Sequence, residues 1–189
     1  AQIGRAFRNE ITPGNFIFRT REFEQMEIEY FVRESEWEKH FDHWLSEMKR
    51  WIKAVGIDEK RVKYTEIPDA DRAHYSKRTV DIEFEYPFGL KELYGLAYRG
   101  DHDLKAHGVE YRDPVSGDKF VPHVIEPSRG VERTVLAVLL STYDEVKGGR
   151  TKTTESVKEE EIVLRLPKEI APIKIAILPL SRKDNLLAA

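Results

Sequence analysis

The strongest constraint on the fold is a pair of alternating segments near residue 1, separated by the turn Thr12-Pro13-Gly14-Asn15. Residues 7–10 (FRNE) precede this turn, and the run NFIFRTREFEQMEIEYFV, residues 15–32, follows it. Side chains two residues apart on a strand point to the same face of a sheet. On the returning strand the side chains that share a face are Arg19, Arg21, Phe23, Gln25 and Glu27. The pattern predicts a β-hairpin with cations, an aromatic ring and carboxylates on one face, groups suited to a triphosphate, a base and an ammonium group.

The rest of the sequence predicts further strands and two main helices. Apolar residues at helical spacing from Trp37 to Val55 indicate an amphipathic helix, with Ser35 and Glu38 as its capping box and Gly56 after its end. The other predicted elements are strands at 79–86, 90–100, 123–126, 162–166 and 173–178, a hairpin or loop at 108–120, and a helix at 130–143. This order predicts an α+β fold in which helices flank an antiparallel sheet.

Composition narrows the classes of protein that fit. The chain has 189 residues, of which 40% are hydrophobic and 34% charged, enough for one sizeable globular domain. No apolar run approaches the ~20 residues that span a bilayer and no signal-peptide pattern is present, so a cytoplasmic protein without membrane contact is expected. The net charge of -3 gives no general attraction for nucleic acid, and the lack of cysteine excludes disulfides and thiolate metal sites. Because residue 1 is not methionine and already leads into a strand, we interpret the chain as a fragment.

A second informative segment is PHVIEPSRGVERTVLAVLL, residues 122–140. It reads as a strand that ends at 126–128, a glycine at 130, and a helix with Arg133 in its first turn. Glycine lets the backbone approach a ligand closely, and a helix N-terminus beside an arginine favours an anion. The segment therefore predicts an anion site at the start of the second main helix.

Taken together, these segments resemble the class II aminoacyl-tRNA synthetases. FRNE and the strand after it are similar to motif 2, and FEQME (23–27) is similar to the glycyl-tRNA synthetases. EPSRGVER (126–133) resembles motif 3 in its glycyl form, EPSxGVxR. Residues 81–104 resemble the glycyl stretch before motif 3, and residues 166–180 the opening of the anticodon-binding domain. The resemblance covers nearly the whole chain, from motif 2 through motif 3 to the start of that last domain.

The resemblance also implies a division of the chain. Residues 1–146 would form the class II catalytic core, 147–161 a mobile polar loop or linker, and 162–189 the end of the core and the start of the anticodon-binding domain. Motif 1, which builds the dimer interface in this family, has no counterpart in the sequence. A homodimeric parent is implied, whereas dimerisation, tRNA selection and independent activity of this chain stay open.

The activity that the resemblance implies is ATP-dependent activation of glycine to glycyl-adenylate and its transfer to tRNA(Gly), with ATP and Mg²⁺ as cofactors. Arg8, Glu10 and Arg133 match catalytic positions of the family, and Glu92 matches a candidate magnesium ligand. The positions that match ATP-binding residues are Arg8, Asn9, Glu10, Phe18, Arg19, Phe23, Glu92, Leu93, Gly130 and Arg133. The positions that match glycine-binding residues are Phe23, Glu24, Gln25, Glu27, Glu126 and Ser128.

Each of these residues also fits a structural role. Arg8 with Glu10 would suit a surface cross-strand pair, and Glu27 a solvated strand face. His40 and His43 stand three apart on the predicted helix, a spacing that fits a metal, but no third ligand is evident. At the level of function, the alternatives are a non-catalytic synthetase-like binding module, an inactive structural fragment, and a relative that activates another small amino acid.

Overall fold

The computed structural model describes residues 1–147 and 160–177, in which one large antiparallel sheet carries the fold. The strands are β1 (Gln2–Phe7), β2 (Glu22–Glu27), β3 (Tyr30–Val32), β4 (Val62–Glu66), β5 (Arg78–Tyr86), β6 (Gly89–Gly100), β7 (Tyr111–Arg112), β8 (Lys119–Phe120), β9 (His123–Gly130), β10 (Tyr143–Lys147) and β11 (Glu160–Leu164). In the large sheet the order is β1-β2-β9-β6-β5-β4, and β3 also pairs with β9. Within the same described residues, β7 pairs with β8 and β10 with β11 as separate hairpins. The predicted α+β class is confirmed.

The helices are α1 (Trp37–Ala54), α2 (His102–Ala106) and α3 (Val131–Thr142). Helix α1 packs against β6 and β9, and α3 packs against β2, β5, β6 and β9. At helical spacing, α1 buries Phe41, Met48 and Ile52, as its sequence pattern predicts. The predicted capping box is wrong, because Ser35 lies in a separate 3-10 turn (Glu34–Glu36) and no side chain caps α1.

The two faces of the large sheet differ in what they carry. On β6, Leu96 and Tyr98 are buried among the residues that α1 contributes to the core. The alternate residues Gly95 and Ala97 pair with Ser128 and Glu126 on β9 and therefore share the opposite face. One face is thus covered by helices, and the other is open at the centre of the sheet.

The predicted hairpin is present, but its turn and strand limits differ from expectation. β1 ends at Phe7 and β2 begins at Glu22, so the strand expected from residue 15 starts later. The intervening loop closes through the pair Gly14 and Arg19, and its tip holds Asn15 and Phe16 at φ 56° and 59°. The turn therefore lies after residue 14, rather than at 12–15, because these left-handed residues reverse the chain.

The strand expected to run unbroken to residue 32 is divided into β2 and β3. At the break, the Ile28 N–H donates a hydrogen bond of 3.2 Å to the Pro127 carbonyl. The strand expected to end at 126–128 instead continues to Gly130, directly before α3. This extension keeps β9 paired with both β2 and β6 up to the start of the helix.

The C-terminal part departs most from the sequence prediction. β10 and β11 form a hairpin. The sequence predicted a helix end at residue 143, a polar loop at 147 and 160–161, and a single strand at 162–166. Residues 173–177 form no strand, and their isoleucines are 74–83% exposed, so the predicted buried strand is wrong over these residues. Within the described residues, no strand pairs with this segment. Residues 148–159 and 178, which the predictions also covered, lie outside the described residues.

Within residues 1–147 and 160–177, no helix combines the length and the apolar character needed to cross a membrane.

Candidate active site

An open cleft lies on the uncovered face of the large sheet. Its walls come from the hairpin loop, β2, the middle of β6, the end of β9 and the first turn of α3. Most of the sequence-predicted site residues meet here. They are Arg8, Glu10, Phe18, Arg19, Phe23, Gln25, Glu92, Leu93, Ser128, Gly130 and Arg133.

Arg133 is held firmly at one end of the cleft. Its Nη1 donates to the Glu92 carbonyl at 2.8 Å and lies 3.2 Å from the Glu92 carboxylate. Its Nε donates to the Phe18 carbonyl at 3.3 Å, and its Cζ lies 4.3 Å from the centre of the Phe18 ring. Phe18 is itself packed edge-on against Tyr86 and Phe88. A cation fixed in this way, in the first turn of a helix, suits an anionic ligand.

A second cation and an aromatic ring stand across the hairpin. The Arg8 guanidinium lies 5.1 Å from the centre of the Phe23 ring, a cation–π distance. Arg8 follows β1 and Phe23 lies on β2, so the hairpin brings them together from positions 15 residues apart. Arg8 is exposed, and its charge is therefore available to a ligand.

The loop of the hairpin adds a third cation. Arg19 Nε lies 4.0 Å from a Glu10 carboxylate oxygen, and Arg21 Nε donates to the Glu10 carbonyl at 3.0 Å. The backbone of Arg19 pairs in both directions with Gly14, at 3.0 and 3.2 Å. The loop thereby carries Arg19 to the cleft, which Arg8 also lines.

A chain of polar side chains crosses from β2 to β9 at the other end of the cleft. Gln25 Nε2 donates to Ser128 Oγ at 3.1 Å, and Ser128 Oγ donates to Glu27 Oε1 at 3.3 Å. Residues 27 and 128 are direct neighbours in the strand register. The hydroxyl and the carboxylate therefore face the same small volume and offer acceptors to an ammonium group.

Glu126, the next residue of β9 on this face, is held by an arginine that sequence reasoning missed. Arg99 Nη1 donates to Glu126 Oε2 at 2.5 Å, and Arg99 Nε donates to Asp103 Oδ2 at 2.7 Å. The Arg99 guanidinium also lies 4.2 Å from the centre of the Tyr75 ring. The signal for Arg99 was its position two residues after Ala97 on β6, which places it on the open face.

Glu29 is a second residue that the sequence analysis did not assign to the site. Partial burial and the neighbouring Glu126 carboxylate raise the pKa of Glu29 to about 7, and Glu27 adds to the same effect. Arg99 opposes the shift. The carboxyl groups of Glu27, Glu29 and Glu126 thus share one region with the Arg99 guanidinium, beside the cleft-lining Ser128, and this region is suited to a cation.

A further acidic pair lies near the first end of the cleft. Burial and the charges of Glu92 and Glu83 raise the pKa of Asp81 to about 6. Asp81 lies on β5, opposite Gly95 of β6. In the part of the chain that the structure describes, no group of three or more histidine and acidic side chains surrounds a metal position.

Four predicted residues, Asn9, Glu24, Glu27 and Glu126, are not among the residues that line the cleft, and Leu93 lines it but is almost completely buried. Glu27 and Glu126 lie beside Ser128, as described above, and the other three are described next. Asn9 is exposed in the hairpin loop. Leu93 is 2% exposed. Glu24 lies beside a shallow depression with Arg5, and its backbone N–H donates to both Glu132 carboxylate oxygens at 2.9 and 3.0 Å. The ligand contacts predicted for these three residues stay predictions.

The cleft and the sheet beneath it define a class of protein. Residues 1–143 match the family described as tRNA synthetase class II core domain (G, H, P, S and T), so the chain belongs to this family. Among its curated relatives are glycine--tRNA ligases. The chain is 50% identical over 193 residues to that of Malacoplasma penetrans and 45% identical over 190 residues to that of Caldanaerobacter subterraneus subsp. tengcongensis. The predicted resemblance to glycyl-tRNA synthetases is confirmed by these relatives.

These alignments cover 97% of the chain but 40% of each of these two relatives, so the chain spans about two fifths of their length. A solved structure of seryl-tRNA synthetase from Pyrococcus horikoshii, complexed with ATP, has the same fold. Its TM-score is 0.66 at 17% identity, over 77% of this chain and 34% of that one. The antiparallel sheet with flanking helices is therefore the class II synthetase fold.

Proposed function

We propose that the cleft is the site at which glycine and ATP react to give glycyl-adenylate, the first step of charging tRNA(Gly). The observation that carries the proposal is the division of the cleft into two ends. Arginines and aromatic rings line one end, and at the other end Ser128 lines the cleft with the Glu27 and Glu126 carboxylates beside it. The relatives named glycine--tRNA ligase support the same activity.

The cationic end would hold ATP. Arg8 and Arg19 would contact the phosphates, and Phe23 would stack on the adenine ring, with Arg133 toward the γ-phosphate. Phosphoryl and nucleotidyl transfer require position and charge stabilisation more than covalent participation by the protein. The glycine carboxylate would attack the α-phosphorus, the bond to the bridging oxygen would break, and pyrophosphate would leave with that electron pair.

The electronegative end would select glycine. The α-ammonium group of glycine would lie among Glu27, Glu126 and Ser128, which the hydrogen bonds from Gln25 and Arg99 hold in place. A buried or half-buried carboxylate needs such partners to keep its charge and its direction. A larger amino acid would clash with the strands, so size excludes it.

Mg²⁺ fits the residues at the nucleotide end, although no three-ligand cage is present in the described residues. Mg²⁺ commonly uses one or two carboxylates together with substrate phosphates. Glu92 and Asp81 would supply these carboxylates. Burial and the charges of Glu92 and Glu83 raise the pKa of Asp81, and a bound cation would oppose this shift. When bound, the metal supplies neutralisation of the phosphate charge, while Arg133 keeps Glu92 in position.

The whole protein would transfer the glycyl group to tRNA(Gly), as a homodimer in the cytoplasm. In that protein, residues 1–146 would be the catalytic core, 147–161 a linker, and 162–189 the approach to the anticodon-binding domain. The exposed isoleucines of 173–177 are consistent with a segment that another domain covers.

Amino-acid-dependent ATP–pyrophosphate exchange, run with each standard amino acid, tests the proposal. Exchange that depends on glycine alone is the expected result. Exchange with another amino acid would overturn the assignment of glycine. Tight ATP binding with no exchange, in a longer version that also carries the parts of the relatives that this chain does not span, would instead support a non-catalytic binding module.

A further inference from the structure

Gly95 occupies a position at which neither the backbone nor the packing requires glycine. It lies inside β6, and its φ is outside the left-handed region. A Cβ added there would have one heavy atom within 4 Å, Glu92 Oε1 at 3.8 Å, which is ordinary contact. Glycine inside a strand weakens the strand and often marks the close approach of a ligand. The added methyl group would stand in the cleft, which Gly95 lines.

The position of Gly95 within the cleft is informative. In the strand register it faces Ser128 of β9 on one side and Asp81 of β5 on the other. Ser128 belongs to the electronegative end, whereas Glu92, three residues before Gly95, belongs to the cationic end through Arg133. Gly95 therefore lies at the base of the cleft, between its cationic and electronegative ends.

We propose that the missing side chain of Gly95 leaves the space in which the glycine carboxylate meets the α-phosphorus of ATP. This inference rests on the proposed function and assigns a residue to its reacting junction. The carboxylate oxygen forms a bond to the α-phosphorus, and the bond from that phosphorus to the bridging oxygen breaks as pyrophosphate leaves. Reacting atoms must approach to about 3–3.5 Å, and a misplacement of about 1 Å lowers the rate about 10²-fold.

The variant Gly95→Ala tests this inference by ATP–pyrophosphate exchange. We expect kcat to fall about 10²-fold. The KM values for glycine and for ATP should each stay within about threefold, since each substrate alone can use its own end of the cleft. The melting temperature should be equal or higher, because alanine restricts the unfolded chain more than glycine does.

Gly4→Ala is the matched control. Gly4 lies on the edge strand β1, opposite Gln25 but outside the residues that line the cleft, and the atoms nearest to its added Cβ would be those of the flexible Gln2 side chain, from 3.2 Å. This variant shares the glycine-to-alanine change within a strand and should keep the exchange rate of the unmodified chain. A fall in the melting temperature of Gly95→Ala would overturn the inference, because it would indicate a packing role.

A binding measurement decides the matter independently of turnover. Glycyl-sulfamoyl-adenosine, a stable analogue of the adenylate, fills both ends of the cleft and the junction, and AMP fills the nucleotide end alone. Calorimetric titration should show the analogue at least 10-fold weaker with Gly95→Ala, and AMP unchanged. Equal affinity for the analogue would overturn the inference alone. No binding of the analogue by the unmodified chain would overturn the proposed function of this chain and this inference with it.

Discussion

The two faces of β6 and β9 are made by alternating residues of the same strands, yet they obey different rules. Toward the helices, Leu96 and Ile125 are fully buried in the core. On the opposite face, the same strands carry Gly95, which lines the cleft, and the ion pair of Arg99 with Glu126. The first face follows the hydrophobic effect, and the second follows charge and geometry.

The difference between the two faces shows that unfavourable contacts between carboxyl groups lie on the open face. Burial raises the pKa of both Glu29 and Asp81, and neighbouring carboxylates on the open face raise it further. Crowding of like charges is unfavourable for folding, and the covered face offsets it by burying large apolar side chains. Substitutions on the two faces should therefore affect different properties.

The largest effect on stability is expected from the covered face. Leu96→Ala should lower the free energy of unfolding by about 2–5 kcal/mol, because it removes a fully buried side chain and leaves a cavity. Urea unfolding measures this change. Lys91→Ala, at an exposed position of the same strand, should stay within about 0.5 kcal/mol. Equal decreases in the free energy of unfolding for both variants would contradict the distinction between the two faces.

Arg8→Ala should show the opposite behaviour on the open side. We expect glycine-dependent exchange to fall about 10²–10³-fold, the usual loss for a group that stabilises developing charge. The free energy of unfolding should barely change, since Arg8 is exposed. If Arg8→Ala instead lowered the free energy of unfolding strongly, and the exchange rate fell in proportion to the unfolded fraction, Arg8 would have a structural role.

Glu27→Gln should separate the two ends of the cleft. The KM for glycine should rise about 10-fold or more, because a charged partner of the ammonium group is lost, while the KM for ATP should stay nearly constant. Glu22→Gln provides a control on the opposite face of β2, where Glu22 pairs with Arg5 at 2.6 Å. Equal increases of both KM values in Glu27→Gln would contradict its placement at the glycine end.

The smallest effect concerns pH and Glu29. Because its folded-state pKa, about 7, exceeds its ordinary value of 4.5, the folded chain holds a proton that the unfolded chain releases between these values. Its contribution to stability is complete below pH 4.5 and is lost as pH rises toward 7. Glu29→Gln should remove this dependence.

Because Glu29 is exposed to solvent, we expect it to contribute about 1 kcal/mol to the free energy of unfolding. For a protein of this size, this corresponds to roughly 2–4 °C in melting temperature. Melting curves at pH 5 and pH 8 measure it as the difference between the unmodified chain and Glu29→Gln. Asp81 is present in both proteins, so its effect on the melting temperature cancels in this difference. A difference that is the same at both pH values would exclude the raised pKa.

Sequence patterns predicted which helices and strands form better than they predicted the residues at which these elements begin and end. The apolar stripe of α1 and the alternation of β5 each identify the buried face, because periodicity is a property of a single segment. Capping by Ser35, the turn at 12–15 and the buried strand over residues 173–177 were wrong. Each of these depends on contacts with distant residues or on the local φ of the chain, such as that of Asn15.

The sequence by itself determined the family, the α+β class, and the residue types of the cleft, since motifs of fixed spacing such as EPSRGVER encode them locally. Only the tertiary structure decided which charges meet. It joined Arg99 to Glu126 across two strands and set Gly95 between Ser128 and Asp81. The physical reason is strand register, which pairs residues far apart in the chain and which no single segment specifies.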